Sequence, residues 1–150
     1  MELSPDLSEL LGLFHKHNVE HVVIGAYALA FYGAPRFTGD LDILVKVDQE
    51  NAERIMMTLD AFGFGATGLT ACDFMGPDQV VQLGHPPARA DILTSITGVG
   101  WEEVAAGAVD GKMGGVAVRF IGRTELIKNK RALGRHKDLA DIEALGEDTT

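Results

Sequence analysis

Apolar residues along the chain alternate between two periods. After Ser4-Pro5, a good cap followed by a good first helical residue, Leu7, Leu10, Leu11 and Phe14 recur at three- and four-residue spacing. This predicts a helix that ends near Asn18. His21 to Ile24 is short, apolar and β-branched, and reads as a buried strand. Gly25 breaks it, and AYALAFYG predicts a compact helix ending at Gly33, after which Pro35 forces an extended connection. From Leu41 to Val47 the odd positions are apolar, whereas Asp40, Asp42 and Lys46 share the other face with Leu44. That is a strand with one acidic end.

The period then returns to 3.6. Ala52, Ile55, Met56 and Leu59 predict a helix over Gln49 to Phe62. Strands are predicted at Gln79 to Leu83 and Ala90 to Thr94, joined through HPPAR. A short helix from Trp101 to Ala106 and a strand from Val116 to Ile121 follow. Two helices close the chain, Thr124 to Leu133 and roughly His136 to Leu145, with Gly134 and Gly146 as stops. Strands interleaved with helices, without repeat or linker, predict one α/β domain over 1–150 with a helical tail over about 123–146.

Length and composition narrow the functional classes. At 150 residues the chain can bury one substantial core. Cys72 is the single cysteine, which excludes an internal disulfide framework and fits a reducing compartment. No basic-then-apolar leader opens the sequence, and no apolar run nears the ~20 residues of a membrane span. The expectation is a cytoplasmic protein that does not engage membrane. A net charge of −9 argues against broad attraction to nucleic acid. The charge is uneven, however: residues 123–137 carry six Lys or Arg against one acid, Glu125. That segment is either a solvated helix face or a clamp for a polyanion.

The candidate chemistry begins with Asp40 and Asp42. Two apart on a strand, they point the same way and lie roughly 6.6 Å apart, within reach of a shared divalent ion. They could equally be the wet face of an ordinary strand. Asp91 adds weight, because RADILTSI places a carboxylate in an apolar run where it is costly unless paired or metal-bound. If its strand neighbours the first, three carboxylates meet, two to hold metal and one to position or deprotonate a hydroxyl. Gly25 permits close backbone approach to a phosphate, or makes a plain strand-to-helix turn. Arg36 reaches a triphosphate or fixes its loop; Thr38, beside it, is grouped with the nucleotide-binding candidates.

Other motifs are weaker. GFGATG at Gly63 to Gly68 spells a dinucleotide fingerprint, but a helix precedes it where a strand is required. His17 and His21 are four apart but should not share a helical face. Trp101 reads as a packing residue. A DxD phosphohydrolase with an aspartyl nucleophile, like the haloacid dehalogenase enzymes, has its acids at the end of an apolar strand; here they begin one.

Three segments, VVIGAYALAFYGAPRFTGDLDILV, ARADILTSITGV and RTELIKNKRALGRHKDLADIEAL, span most of residues 20–145. Together they resemble the nucleotidyltransferase superfamily of the DNA polymerase β type, in particular its small bacterial AbiEii-like and DUF6036-like domains. In the last segment Lys130, Arg135, Lys137, Asp138 and Asp141 stand where that branch looks similar. The resemblance implies a mixed central sheet flanked by helices, in which Asp40 and Asp42 bind two Mg²⁺ ions on a nucleoside triphosphate and Asp91 is the third acid. It further implies that the backbone N–H groups of Gly25 and Ala26 face the triphosphate and that Lys130 neutralises phosphate charge. An acceptor hydroxyl, on RNA or protein, would attack the α-phosphate and expel pyrophosphate, and a cognate partner in a toxin–antitoxin or defence pair is expected. Superfamily turns usually carry Gly-Ser or Gly-Gly; Ala26 offers an N–H but no hydroxyl. A catalytically relaxed nucleotide-binding or partner-neutralising module with the same fold is the alternative.

Overall fold

The computed structural model describes residues 3–34, 40–63, 68–84 and 88–147. Six strands form one mixed sheet in the order β3-β4-β2-β1-β6-β5. They are β1 (His21–Ile24), β2 (Asp40–Val45), β3 (Val80–Leu83), β4 (Arg89–Leu93), β5 (Val109–Met113) and β6 (Val116–Phe120). The helices are α1 (Pro5–Lys16), α2 (Gly25–Phe31), α3 (Gln49–Phe62), α4 (Trp101–Gly107), α5 (Arg123–Leu133) and α6 (His136–Ala144), with one 3-10 turn at Ala71–Phe74. No helix among the described residues is long and apolar enough to cross a membrane.

The helices form where the pattern places them. Ser4 accepts a bond from the Leu7 N–H at 3.3 Å and Pro5 opens α1, whose Leu7, Leu10, Leu11 and Phe14 are all buried. Asp48 caps α3 by accepting from the Asn51 N–H at 2.7 Å, and Gly63 ends that helix in the left-handed conformation. The first glycine of GFGATG is therefore a helix stop, which removes the dinucleotide reading; residues 64–67 lie outside the described residues.

Burial of both faces fixes the register of the central strands. Leu41, Ile43 and Val45 of β2 are fully buried on one face, and Leu44 is buried on the other. β1 runs antiparallel to β2 and parallel to β6; β2 runs parallel to β4. Asn51 clasps the far end of the β1–β2 pair: its amide donates to the carbonyls of Glu20 and Lys46 and accepts from the Glu20 N–H. Fully buried, it satisfies backbone groups where both strands meet α3.

Two elements lie outside the pattern read from sequence. β5 was not predicted, because only Met113 of its five residues is buried. Gly114 and Gly115 both have positive φ and close it onto β6 in a two-residue hairpin. The 3-10 turn seats Phe74 in the core through a single buried side chain, too short a signal for periodicity to detect.

Candidate functional site

The two acids of β2 meet the acid of β4 because the strands are parallel neighbours. Asp42 pairs with Asp91 in register and Asp40 with Arg89, so all four side chains emerge from one sheet face. Each is only partly exposed. Burial pushes Asp42 up to about 6, and the charges of Asp91 and Asp40 add to that against the weaker opposing pull of Lys130 and Arg89. Carboxylate crowding of this kind marks a face that stores charge instead of cancelling it.

Gly25 lies directly against this cluster. β1 ends at Ile24, in register with Asp42, and Gly25 turns the chain into α2 with φ +68°. A Cβ at this position would collide with the Asp42 carboxylate. The glycine is required twice, by its backbone conformation and by the acid packed on it. Ala26, the next residue, is buried at the start of α2. Tyr27, also buried there, has its hydroxyl pushed up by burial and then by the charge of Asp40.

Sequence reasoning missed Arg89. Its guanidinium grips Asp91 with both arms, Nε to Oδ1 at 3.0 Å and Nη2 to Oδ2 at 3.1 Å, and its Nε lies 4.0 Å from Asp40 Oδ2. The signal was an arginine two residues before Asp91 on the same strand, hence on the same face. With Asp91 held in this way, no group of three or more His, Cys, Asp or Glu among the described residues is arranged to hold a metal ion. The donor chemistry nevertheless fits Mg²⁺, which takes one or two carboxylates and leaves the rest of its shell to water and substrate phosphates. Asp40 and Asp42 provide two such oxygen donors beside a turn with no side chain in the way.

The opposite wall comes from the helical tail. A pocket of about 280 Å³ is lined by Gly25, Asp42 and Ser95 from the sheet end and by Asn129, Lys130 and Arg135 from the tail, among others. Lys130 is buried, and its Nζ lies 3.1 Å from Asp141 and 3.4 Å from Asp138. Arg135 donates to Asp138 from both its backbone N–H and its guanidinium, the closest bond being 2.6 Å. Burial alone would push Asp138 up, but the Arg135 bonds and the Lys130 charge outweigh it and hold the carboxyl below its usual range.

The rest of the basic segment is largely paired within the fold. Arg123 bonds Glu147 and the Leu145 carbonyl, and Lys128 bonds Glu103 at 2.7 Å. The structure thus brings Gly25, Asp40, Asp42, Asp91 and Lys130 into one neighbourhood; Arg36 and Thr38 lie outside the described residues. A separate cleft of about 370 Å³ at the other end of β1, lined by His15, His21, Asp110 and Arg119, contains none of the three acids. His21 donates from Nδ1 to the Val19 carbonyl at 2.7 Å, and burial holds its imidazole below the usual range.

Strand order, glycine turn and acid placement define a nucleotidyltransferase-like fold, and comparison with solved structures agrees. A protein from Thermotoga maritima, provisionally assigned as a nucleotidyltransferase, superposes with a TM-score of 0.60 at 15% identity, covering 91% of this chain and 88% of its own. An antigenic nucleotidyltransferase-like protein from Paracoccidioides brasiliensis superposes with a TM-score of 0.52 at 17% identity, covering 97% of this chain and 76% of its own. No protein-family model and no curated protein sequence matches the chain.

Proposed function

We propose that the chain is a Mg²⁺-dependent nucleotidyltransferase that transfers a nucleoside monophosphate from a nucleoside triphosphate to an acceptor hydroxyl. The observation that carries this reading is the register pairing of Asp42 with Asp91, two residues from Asp40 and packed against the Gly25 turn.

Asp40 and Asp42 would hold the metal, which when bound screens the triphosphate and polarises its oxygens. The remaining work falls to the chain itself. The open turn at Gly25 and Ala26 admits phosphate to backbone N–H groups, and Lys130 presents a fixed positive charge on the facing wall. Asp91, locked by Arg89, orients the acceptor hydroxyl and takes its proton as the new O–P bond forms. The bond to the pyrophosphate oxygen breaks and pyrophosphate leaves. Rate enhancement comes mainly from positioning and charge stabilisation.

The test is incubation with Mg²⁺ and α-labelled nucleoside triphosphates, with RNA or protein acceptors added. Label transfer with pyrophosphate release is expected, and it is lost in Asp42→Asn. Transfer that persists unchanged in that variant refutes the assignment.

A second reading, a nucleotide-binding or partner-neutralising module without turnover, draws support from the two-armed grip of Arg89 on Asp91 and the neutralisation of Lys130 by two acids. Triphosphate binding in calorimetry without transfer to any acceptor would favour it. The choice of RNA or protein acceptor, the cytoplasmic setting and the toxin–antitoxin or defence partner are parts of the proposal that rest on sequence and resemblance alone.

A further inference from the structure

Resting on the metal-site reading above, we propose that Arg89 is a built-in competitor for divalent cation, which keeps the carboxylate face from binding metal tightly until a nucleotide brings its own negative charge. Arg89 sits on the same face as all three acids, with Asp91 in both arms of its guanidinium and Asp40 at 4.0 Å. A guanidinium is planar and always charged, and its fork matches a carboxylate edge. It therefore occupies the Asp91 oxygens with a charge that no change of pH in the physiological range removes.

Geometry and electrostatics give the effect a direction. A divalent ion on Asp40 and Asp42 would lie within a few ångströms of this fixed positive charge, and at such separations like charges in a partly buried site repel strongly. Lys130 acts on Asp42 in the same sense from the helical tail, with Asp138 and Asp141 beside it at 3.4 and 3.1 Å. Arg89 differs from Lys130 in that the acids it pairs with, Asp91 and Asp40, belong to the site itself. Arg89 thus lowers metal affinity from within the acid face itself, and the triphosphate, which is polyanionic, restores the balance by meeting both the metal and the guanidinium. The metal enters with the nucleotide instead of ahead of it.

Had Arg89 served only to hold the acids in place, its removal would loosen them and weaken metal binding. A competitor has the opposite sign. The experiment titrates Mn²⁺ into the purified protein, with free ion read by its paramagnetic resonance signal, in wild type, Arg89→Gln and Arg89→Lys. Arg89→Gln is expected to bind Mn²⁺ about ten-fold more tightly. Arg89→Lys, which keeps the charge and loses the fork, falls between the two. Thermal unfolding provides a second readout: the melting temperature of Arg89→Gln rises more on adding Mn²⁺ than that of wild type. With a non-hydrolysable nucleoside triphosphate present, the ten-fold gap narrows.

Equal or weaker Mn²⁺ binding by both variants overturns the proposal. Asp42→Asn in the Arg89→Gln background separates this failure from failure of the site assignment. If the double variant keeps the tight Mn²⁺ binding, the ion sits elsewhere and the metal-site reading falls. If it loses that binding, the site stands and the ten-fold gap alone judges Arg89.

Discussion

Two clusters meet at the pocket, where Asp42 of one and Lys130 and Arg135 of the other line it, built from the same kinds of side chain and yet unlike in their charge balance. On the α5–α6 side Lys130 and Arg135 meet Asp138 and Asp141, two cations for two acids, with Lys130 and both acids buried. On the sheet side Arg89 makes ion-pair contact with Asp91 and Asp40 on a face that also carries Asp42. The first cluster cancels its charge and can be sealed from water. The second sets three acids side by side, and Asp42 among them is raised to about 6, first by burial and then by the charges of Asp91 and Asp40. A balanced buried network locks two helices together, whereas a surplus held partly open is what a cationic ligand requires.

The comparison breaks if the tail cluster proves dispensable. Asp138→Ala leaves the Lys130 ammonium short of a buried partner and strips Arg135 of its bonds, at a cost of about 3–5 kcal/mol in urea unfolding. Asp42→Asn should act in the opposite way on stability while abolishing function. Transfer activity falls by roughly 100-fold or more, yet the metal-free protein gains about 1–2 kcal/mol at pH 7 because a crowded charge has been removed. A variant that loses both activity and stability would place Asp42 in the structural class instead.

Smaller effects sharpen the contrast. Gly25→Ala drives a methyl group into the Asp42 carboxylate at a positive φ, costing about 1–3 kcal/mol in the same unfolding assay. The pH dependence of the two clusters should have opposite sign. Asp42 has a folded pKa near 6, above its unfolded value of 3.8, so the native state binds the extra proton and loses that stabilisation as pH rises through this window. The advantage of Asp42→Asn over wild type in melting temperature therefore opens between about pH 4 and pH 6. Asp138 is depressed; its contribution is complete above the unfolded carboxylate pKa and disappears as pH falls through the lower folded one. Asp138→Ala should approach wild type only in strong acid. The smallest effect is expected at Lys128→Ala, whose partner Glu103 is as exposed as itself, with the melting temperature held within about 1 °C.

Elements with a sustained period were legible from sequence. His21–Ile24 and Gln49–Phe62 form as the spacing of their apolar residues requires, and the Asp40/Asp42 face follows from the alternation of β2. That Asp91 joins them needed strand order, which no local pattern contains; it rests on β4 lying parallel beside β2. Arg89 was missed because the predicted strand starts at Ala90 and leaves it in the HPPAR connection, whereas β4 starts at Arg89 and sets it on the face of Asp91. Gly25 was read as a place for phosphate, and its contact with Asp42 adds a second reason, visible only once β1 and β2 are paired. The basic run from Arg123 to Lys137 reads equally as a solvated face or a clamp in one dimension; folded, Arg123, Lys128, Lys130 and Arg135 have acids beside them. Edge strand β5 escaped notice because an exposed edge buries too little to impose a period.

The most direct test of the account locates the ligand. Backbone amide shifts, followed while Mg²⁺ and a non-hydrolysable nucleoside triphosphate are titrated in, should move at Gly25 and Ala26, at Asp40 to Asp42, at Arg89 to Asp91 and at Lys130. Asp42→Asn should erase those shifts without unfolding the protein. Shifts confined to the cleft at His21 and Arg119, or none at the three acids, would contradict it.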